Sequence, residues 1–151
     1  MRLRRIAILL PLVLVSSAFS ACGDDDGGSD TSGGGSQDPA ALEGESWILT
    51  QMLTAGGQTQ IVEVGVSAEF DGSTISGSAG CNTYSASYEA SGGDISFGPI
   101  AATKKVCPEA EQSTEDRYLQ LLGEIGSYEV RGRSMSMNET DGTPVLQFMQ
   151  G

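Results

Sequence analysis

The chain has 151 residues, 20 acidic and 8 basic side chains for a net charge of −12, and no histidine. The missing imidazole excludes serine–histidine and cysteine–histidine nucleophile pairs, zinc sites built on histidine, and the commonest general base. The charge excludes a surface that attracts nucleic acid or anionic lipid headgroups.

Residues 1–21, MRLRRIAILLPLVLVSSAFSA, place Arg2, Arg4 and Arg5 ahead of an apolar run from Ile6 to Val15 and end in small residues. This is the pattern of a secretory signal peptide. The run is too short for the roughly 20 residues of a membrane-spanning helix. Ser-Ala-Phe-Ser-Ala-Cys, residues 17–22, resembles the lipobox of bacterial lipoproteins, in which the cysteine is acylated and becomes the mature N-terminus. Phe19 stands where that motif usually has leucine. The expected lipid attachment site is Cys22; the alternative is a conventional cut after Ala21 that leaves an unmodified thiol. Loss of the leader removes three arginines and no acid, so the exported chain carries five basic and twenty acidic residues, a net −15. Its contact with a membrane is therefore expected through the lipid alone.

Residues 22–41 read as a flexible Gly/Ser/Asp tether with nothing to bury. Asp24, Asp25, Asp26 and Asp30 lack the downstream glutamate of a calcium-binding EF-hand and are taken as solvation. The remaining stretch, 42–151, is long enough for one small domain and too short for two.

Within that domain the apolar residues alternate with polar ones. Ser46–Leu53 and Thr59–Val64 are predicted strands, parted by Ala55-Gly56-Gly57. Val66, Ala68 and Phe70 share one face of a third, which ends at the hairpin signal Asp71-Gly72. Ile75 leads into the glycine-rich stretch Gly77 to Gly80. Tyr84, Ala86, Tyr88 and Ala90 then share a strand face, and Gly92-Gly93 turns into Asp94–Phe97. Pro108–Ile125 breaks the period of two: early acids, a proline suited to a first turn, and Tyr118, Leu119, Leu122 and Ile125 on one stripe predict a helix. Strands over Tyr128–Arg131, Ser134–Glu139 and Val145–Met149 close the chain. The expected fold is α+β: a curved antiparallel sheet of seven or eight strands with one packed helix.

Catalytic signatures are sparse. No P-loop, dinucleotide fingerprint or CxxC is present, and neither Lys104 nor Lys105, the only lysines, follows a serine at the Ser-x-x-Lys spacing.

Leu42-Glu43-Gly44-Glu45-Ser46-Trp47, Gly80-Cys81-Asn82 followed by Tyr84, and Thr103 four residues before Cys107 together resemble the META domain family, also called HslJ-like. Tyr128, Gly132, Gly142, Leu146 and Phe148 agree with its closing strands. Lys105-Val106 stands where the family often has methionine and alanine, and Met135 and Met137 replace leucines. The resemblance implies a small sheet-and-helix domain, often lipid-anchored, associated with heat-shock or antibiotic responses and with secretion or motility. It implies no catalytic residue.

Acylation of Cys22 would leave Cys81 and Cys107 as an even pair in a compartment where disulfides persist. A structural disulfide is the expectation; the alternative is a free or redox-active thiol activated by Lys104 and Lys105. Two cysteines cannot close a zinc shell, so no metal and no cofactor are expected. Asn82 is assigned to bonding the backbone of its turn, and Trp47 to the core. Glu109, Glu111, Glu115 and Asp116 are assigned to the helix dipole.

The functional expectation is a monomeric, non-catalytic envelope lipoprotein, held on the extracytoplasmic side of the cell membrane, that binds an unidentified envelope protein or component. A thiol-dependent or carboxylate-based enzyme, and a structural module without a ligand, are the alternatives.

Overall fold

The computed structural model describes residues 35–151. The expected leader, the lipobox, Cys22 and the tether through residue 34 lie outside the described residues.

Among the described residues, ten strands and one α-helix follow in chain order: β1 Ser46–Leu53, β2 Thr59–Ile61, β3 Ser67–Asp71, β4 Thr74–Ser78, β5 Thr83–Ser91, β6 Asp94–Phe97, β7 Ala101–Ala102, α1 Glu109–Leu122, β8 Ile125–Arg131, β9 Ser134–Glu139 and β10 Pro144–Gln150. All strand pairings are antiparallel, in the order β10-β9-β8-β6-β5-β4-β3-β1-β2, and β10 also pairs with β1. That last pairing, from Trp47 opposite Gln150 to Met52 opposite Leu146, closes eight strands into a barrel. The expectation of a curved sheet is corrected to a closed one. A ring has no free edge along its joined strands, and the twist of each pair supplies the curvature that closure needs. The two short strands lie off the ring, β2 on the far half of β1 and β7 on the near half of β5.

Two irregularities let β1 and β10 fill the interior more densely than strict alternation allows. The register slips at Thr50, so Trp47, Leu49 and Met52 all face inward. A slip between Pro144 and Leu146 puts both Val145 and Leu146 inside. Each is a bulge, which swaps the face presented by the residues that follow it. Thr50 is fixed there by its hydroxyl donating to the Gln147 carbonyl at 3.0 Å.

The interior is aromatic and aliphatic: Trp47, Phe70, Tyr84, Tyr88, Tyr128 and Phe148 with Met135, Met137 and branched residues such as Leu49, Ile75, Ile95, Val130 and Leu146. Trp47 is fully buried and donates from Nε1 to the Leu42 carbonyl at 3.0 Å, which satisfies its one polar atom. Removing that side chain's area from water contributes roughly 4–6 kcal/mol at about 25 cal/mol per Å2.

The helix covers one opening of the barrel. Tyr118 packs edge-on against Tyr84 of β5 at 5.4 Å between centroids and against Phe148 of β10 at 6.5 Å, strands on opposite sides of the eight-membered ring. Arg117 ties the same helix to the end of β1, donating to the carbonyls of Leu53 at 2.8 Å and Thr54 at 3.2 Å. The predicted stripe is partly revised: Leu121 and Glu115 are buried, Leu119 is only half-buried, and Ile125 is the first residue of β8. The helix stops at Gly123, and at Gly126 a side chain would run into Thr140, so the chain has already joined the sheet. Pro108 occupies the N-cap position with no side-chain cap.

Residues 36–42, most of which composition assigned to the tether, are bound to the barrel. Ser36 and Val130 exchange both backbone hydrogen bonds as an antiparallel bridge. Tyr128 Oη donates to the Gln37 carbonyl at 2.9 Å, and Asp38 caps a single 3-10 turn over Pro39–Ala41. This strap lies along β8 beyond the point where β6 pairs with it, since β6 and β8 share only the Asp94–Ser127 position.

One close approach gives a direct test of the β3–β4 packing. A Cβ on Gly77 would collide with the backbone carbonyl of Ser67. Gly77→Ala is expected to destabilise the domain by about 1–3 kcal/mol, read as a lower urea midpoint at unchanged slope; an unchanged midpoint would refute that contact.

Candidate functional site

The six residues singled out by motif meet at one place, where the turn between β4 and β5 touches the segment entering α1. Gly80 has φ +105°, and a side chain there would press on Val64, so the turn requires glycine both for its conformation and for space. Cys81 is joined to Cys107 in a disulfide, with Cα atoms 5.9 Å apart. Closing a loop of 26 positions contributes roughly 3 kcal/mol in the chain-entropy picture.

Asn82 is buried between them and uses its whole hydrogen-bonding capacity. Its backbone N–H donates to Glu115 Oε2 at 2.6 Å, and Nδ2 donates to Glu115 Oε1 at 3.0 Å. Its Oδ1 accepts from the Lys105 N–H at 2.7 Å and from the Thr103 hydroxyl at 2.9 Å. The Lys105 carbonyl lies 3.4 Å from Nδ2. Thr103 Oγ1 in turn accepts from the Thr83 N–H at 3.3 Å. One amide side chain thus fastens the β4–β5 turn, the segment 103–107 and the helix together. The turn-bonding role expected for Asn82 is too small, because most of its bonds cross the fold.

Glu115, which the sequence assigns to the helix dipole, is besides a buried acceptor. Its position three residues before Tyr118 and seven before Leu122 puts it on the buried stripe, the one sequence signal that points inward. A buried carboxylate is tolerated where its oxygens are met by donors, as here by two from Asn82. Beside it, Tyr84 donates to the Ser67 carbonyl at 3.1 Å, which leaves Tyr118 as the donor in the 2.6 Å contact between the two hydroxyls. Burial pushes both phenols above their ordinary value.

Little at this cluster is available for chemistry. Both cysteine sulfurs are in the disulfide, so Lys104 and Lys105, exposed next to it, face no thiol in this state. Glu111 has one buried oxygen without a hydrogen-bond partner among the described residues. No group of three or more Cys, Asp or Glu side chains is placed to hold a metal ion among the described residues. Acids do gather elsewhere: Glu43, Glu45, Glu69 and Asp71 border an open depression of about 470 Å3 beside β3. All four are exposed, and paired-carboxylate catalysis needs two acids in unlike surroundings.

The sequence pattern of the META domain matches residues 40–151. No curated protein matches the chain by sequence. Among solved structures, a protein from Burkholderia xenovorans determined by NMR is 25% identical with a TM-score of 0.63, over 94% of this chain and 99% of that one. A second NMR structure is 18% identical, TM-score 0.55, over 74% of this chain and 93% of its own. A crystal structure of a DUF4847 family protein from Bacteroides vulgatus is 12% identical, TM-score 0.54, over 72% and 93%. The last two show the fold alone.

Two outcomes test the cluster. Glu115→Gln sets an amide N–H against a donor of Asn82, and is expected to cost about 1–3 kcal/mol in chemical denaturation. A double-mutant cycle with Asn82→Ala should return a coupling of about 1 kcal/mol or more; additive losses would show that the two side chains act separately. The raised phenols set a pH limit: unfolded tyrosine ionises near pH 10 and the buried pair does not, so their contribution is intact below about pH 10 and is lost as pH rises past it. Tyr118→Phe should flatten that alkaline fall in stability, and an unchanged slope would assign it to other groups.

Proposed function

The chain belongs to the META domain family, and from that premise we propose that it is a non-catalytic, lipid-anchored envelope protein whose barrel domain binds a protein or another envelope component, in a stress or antibiotic response. The observation that carries this reading is the use to which the motif residues are put. Gly80, Cys81, Asn82, Tyr84, Thr103 and Cys107 hold a turn, a segment and a helix together, and their polar atoms are partnered within the fold. Residues committed to one another in this way build a rigid platform rather than a reaction centre. The lipobox-like run before Cys22 and the acidic, glycine-rich stretch after it support an anchored domain held away from a membrane surface.

The carboxylates bordering the depression beside β3 are the one feature that favours the enzymatic alternative. Their common exposure is what sets it second.

Cys22→Ser is expected to move the protein from the membrane fraction to the soluble exported fraction, and to remove the mass of the acyl groups from the mature N-terminus. Retention in the membrane with an unmodified Cys22 would refute the anchor. For binding, photo-crosslinking in intact cells should capture a defined partner that is lost when the domain is deleted and the lipidated tether retained. Capture at background level under envelope stress would favour the module without a ligand.

A further inference from the structure

After β7, residues 103–106 continue along β5 and then along the Asn82 side chain, with one side of the backbone facing inward. The Thr103 N–H donates to the Thr83 carbonyl at 3.0 Å, and the Lys105 N–H donates to Asn82 Oδ1 at 2.7 Å. Alternation along an extended chain turns the amides of Lys104 and Val106 to the opposite side. Among the described residues, neither their N–H nor their C=O groups have a hydrogen-bond partner. This is a sheet edge outside the closed ring, and it is held in place from behind by the Asn82 bonds and by the disulfide at Cys107.

The side chains on this edge differ from the rest of the surface. Lys104 and Lys105 are exposed and form no ion pair among the described residues. The other cations among the described residues are engaged elsewhere: Arg117 with the Leu53 and Thr54 carbonyls, Arg131 with Glu129, Arg133 with the Gln150 carbonyl. Val106 is 100% exposed, more than any other large apolar residue among those described. On a strongly acidic chain, two unengaged ammonium groups beside a fully exposed valine and a row of open backbone groups define what fits: an extended peptide that carries carboxylates.

We propose that the 102–106 edge is a β-augmentation site for an acidic extended segment of a partner protein, paired through the backbone of Lys104 and Val106 and selected by the ammonium groups of Lys104 and Lys105. Backbone pairing gives such a site its affinity and the flanking side chains its selectivity. The proposal rests on the binding-protein reading above and supplies that reading with a surface and a class of partner. Lysines also serve to keep edges from pairing with other strands. That role predicts an edge that refuses every peptide, whereas the proposed one accepts an acidic one.

The test uses the full chain in non-ionic detergent and a soluble Val-Glu-Val-Glu-Val-Glu-Val peptide, followed by NMR. The expected result is saturable shift of the Lys104 and Val106 amides with slowed hydrogen exchange at both. Binding should weaken about three- to tenfold in Lys104→Gln/Lys105→Gln and on raising salt to about 0.5 M. It should weaken by a similar factor with glutamine in place of glutamate, and be lost with a peptide N-methylated at alternate amides. Unchanged thermal stability of the double variant keeps the comparison free of unfolding. Equal binding of polyphosphate, shifts confined to other strands, self-association of the chain through this edge, or indifference to the lysine changes would each overturn the proposal. In cells, a partner captured equally by the wild type and Lys104→Gln/Lys105→Gln would overturn this site while leaving the binding-protein reading in place.

Discussion

The pairing of β1 with β10 is the constraint on which the remaining structure depends. Once the first and last strands of the domain are joined, the sheet has an inside that must be filled and an opening that must be covered. The fill comes from a large set of aromatic residues and from the two bulges that bring extra side chains inward. The cover is α1, whose Tyr118 reaches across the opening to strands on opposite sides of the ring. A helix of 14 residues is marginal by itself, so it must be fastened. Arg117, Glu115 and the disulfide just before its first turn are the fastenings.

This explains why polar and cystine chemistry is concentrated at one corner. The interior has no need of it, and burying polar atoms there would cost free energy. At the junction between turn, segment and helix, three backbone pieces meet without a sheet ladder to satisfy them. Asn82 substitutes for that ladder, because a side-chain amide offers both donors and acceptors in the plane of a peptide group. Its carboxylate partner is acceptable for the same reason: Glu115 receives the donors that a carbonyl would otherwise have taken.

Much of the local structure is legible in the sequence, and the parts that are not share a cause. Ser46–Leu53, Asp94–Phe97 and Ser134–Glu139 have the bounds that alternation and turn residues predict, since these are short-range signals. The cystine was legible from the cysteine count and the expectation of export, and the family from its motifs. Ring closure was not, because the pairing of Trp47 with Gln150 leaves no trace in the neighbourhood of either residue. Ile125 has the right spacing for the helical stripe, yet the glycine at 123 releases the chain before it. Glu115 misled by chemistry: an acid near a helix start is usually at the surface. Residues 36–41 misled by composition, since a strap held by backbone bonds needs no apolar side chain to announce it.

That strap also fixes how load would enter the molecule. A pull applied through the leader side reaches the described domain first at Ser36, across the pair of antiparallel bonds it makes with Val130. The strap, with Tyr128 and the 3-10 turn behind it, would peel away before tension arrived at Trp47 and the ring. A few residues of slack would therefore be released before tension reached the joined strands β1 and β10.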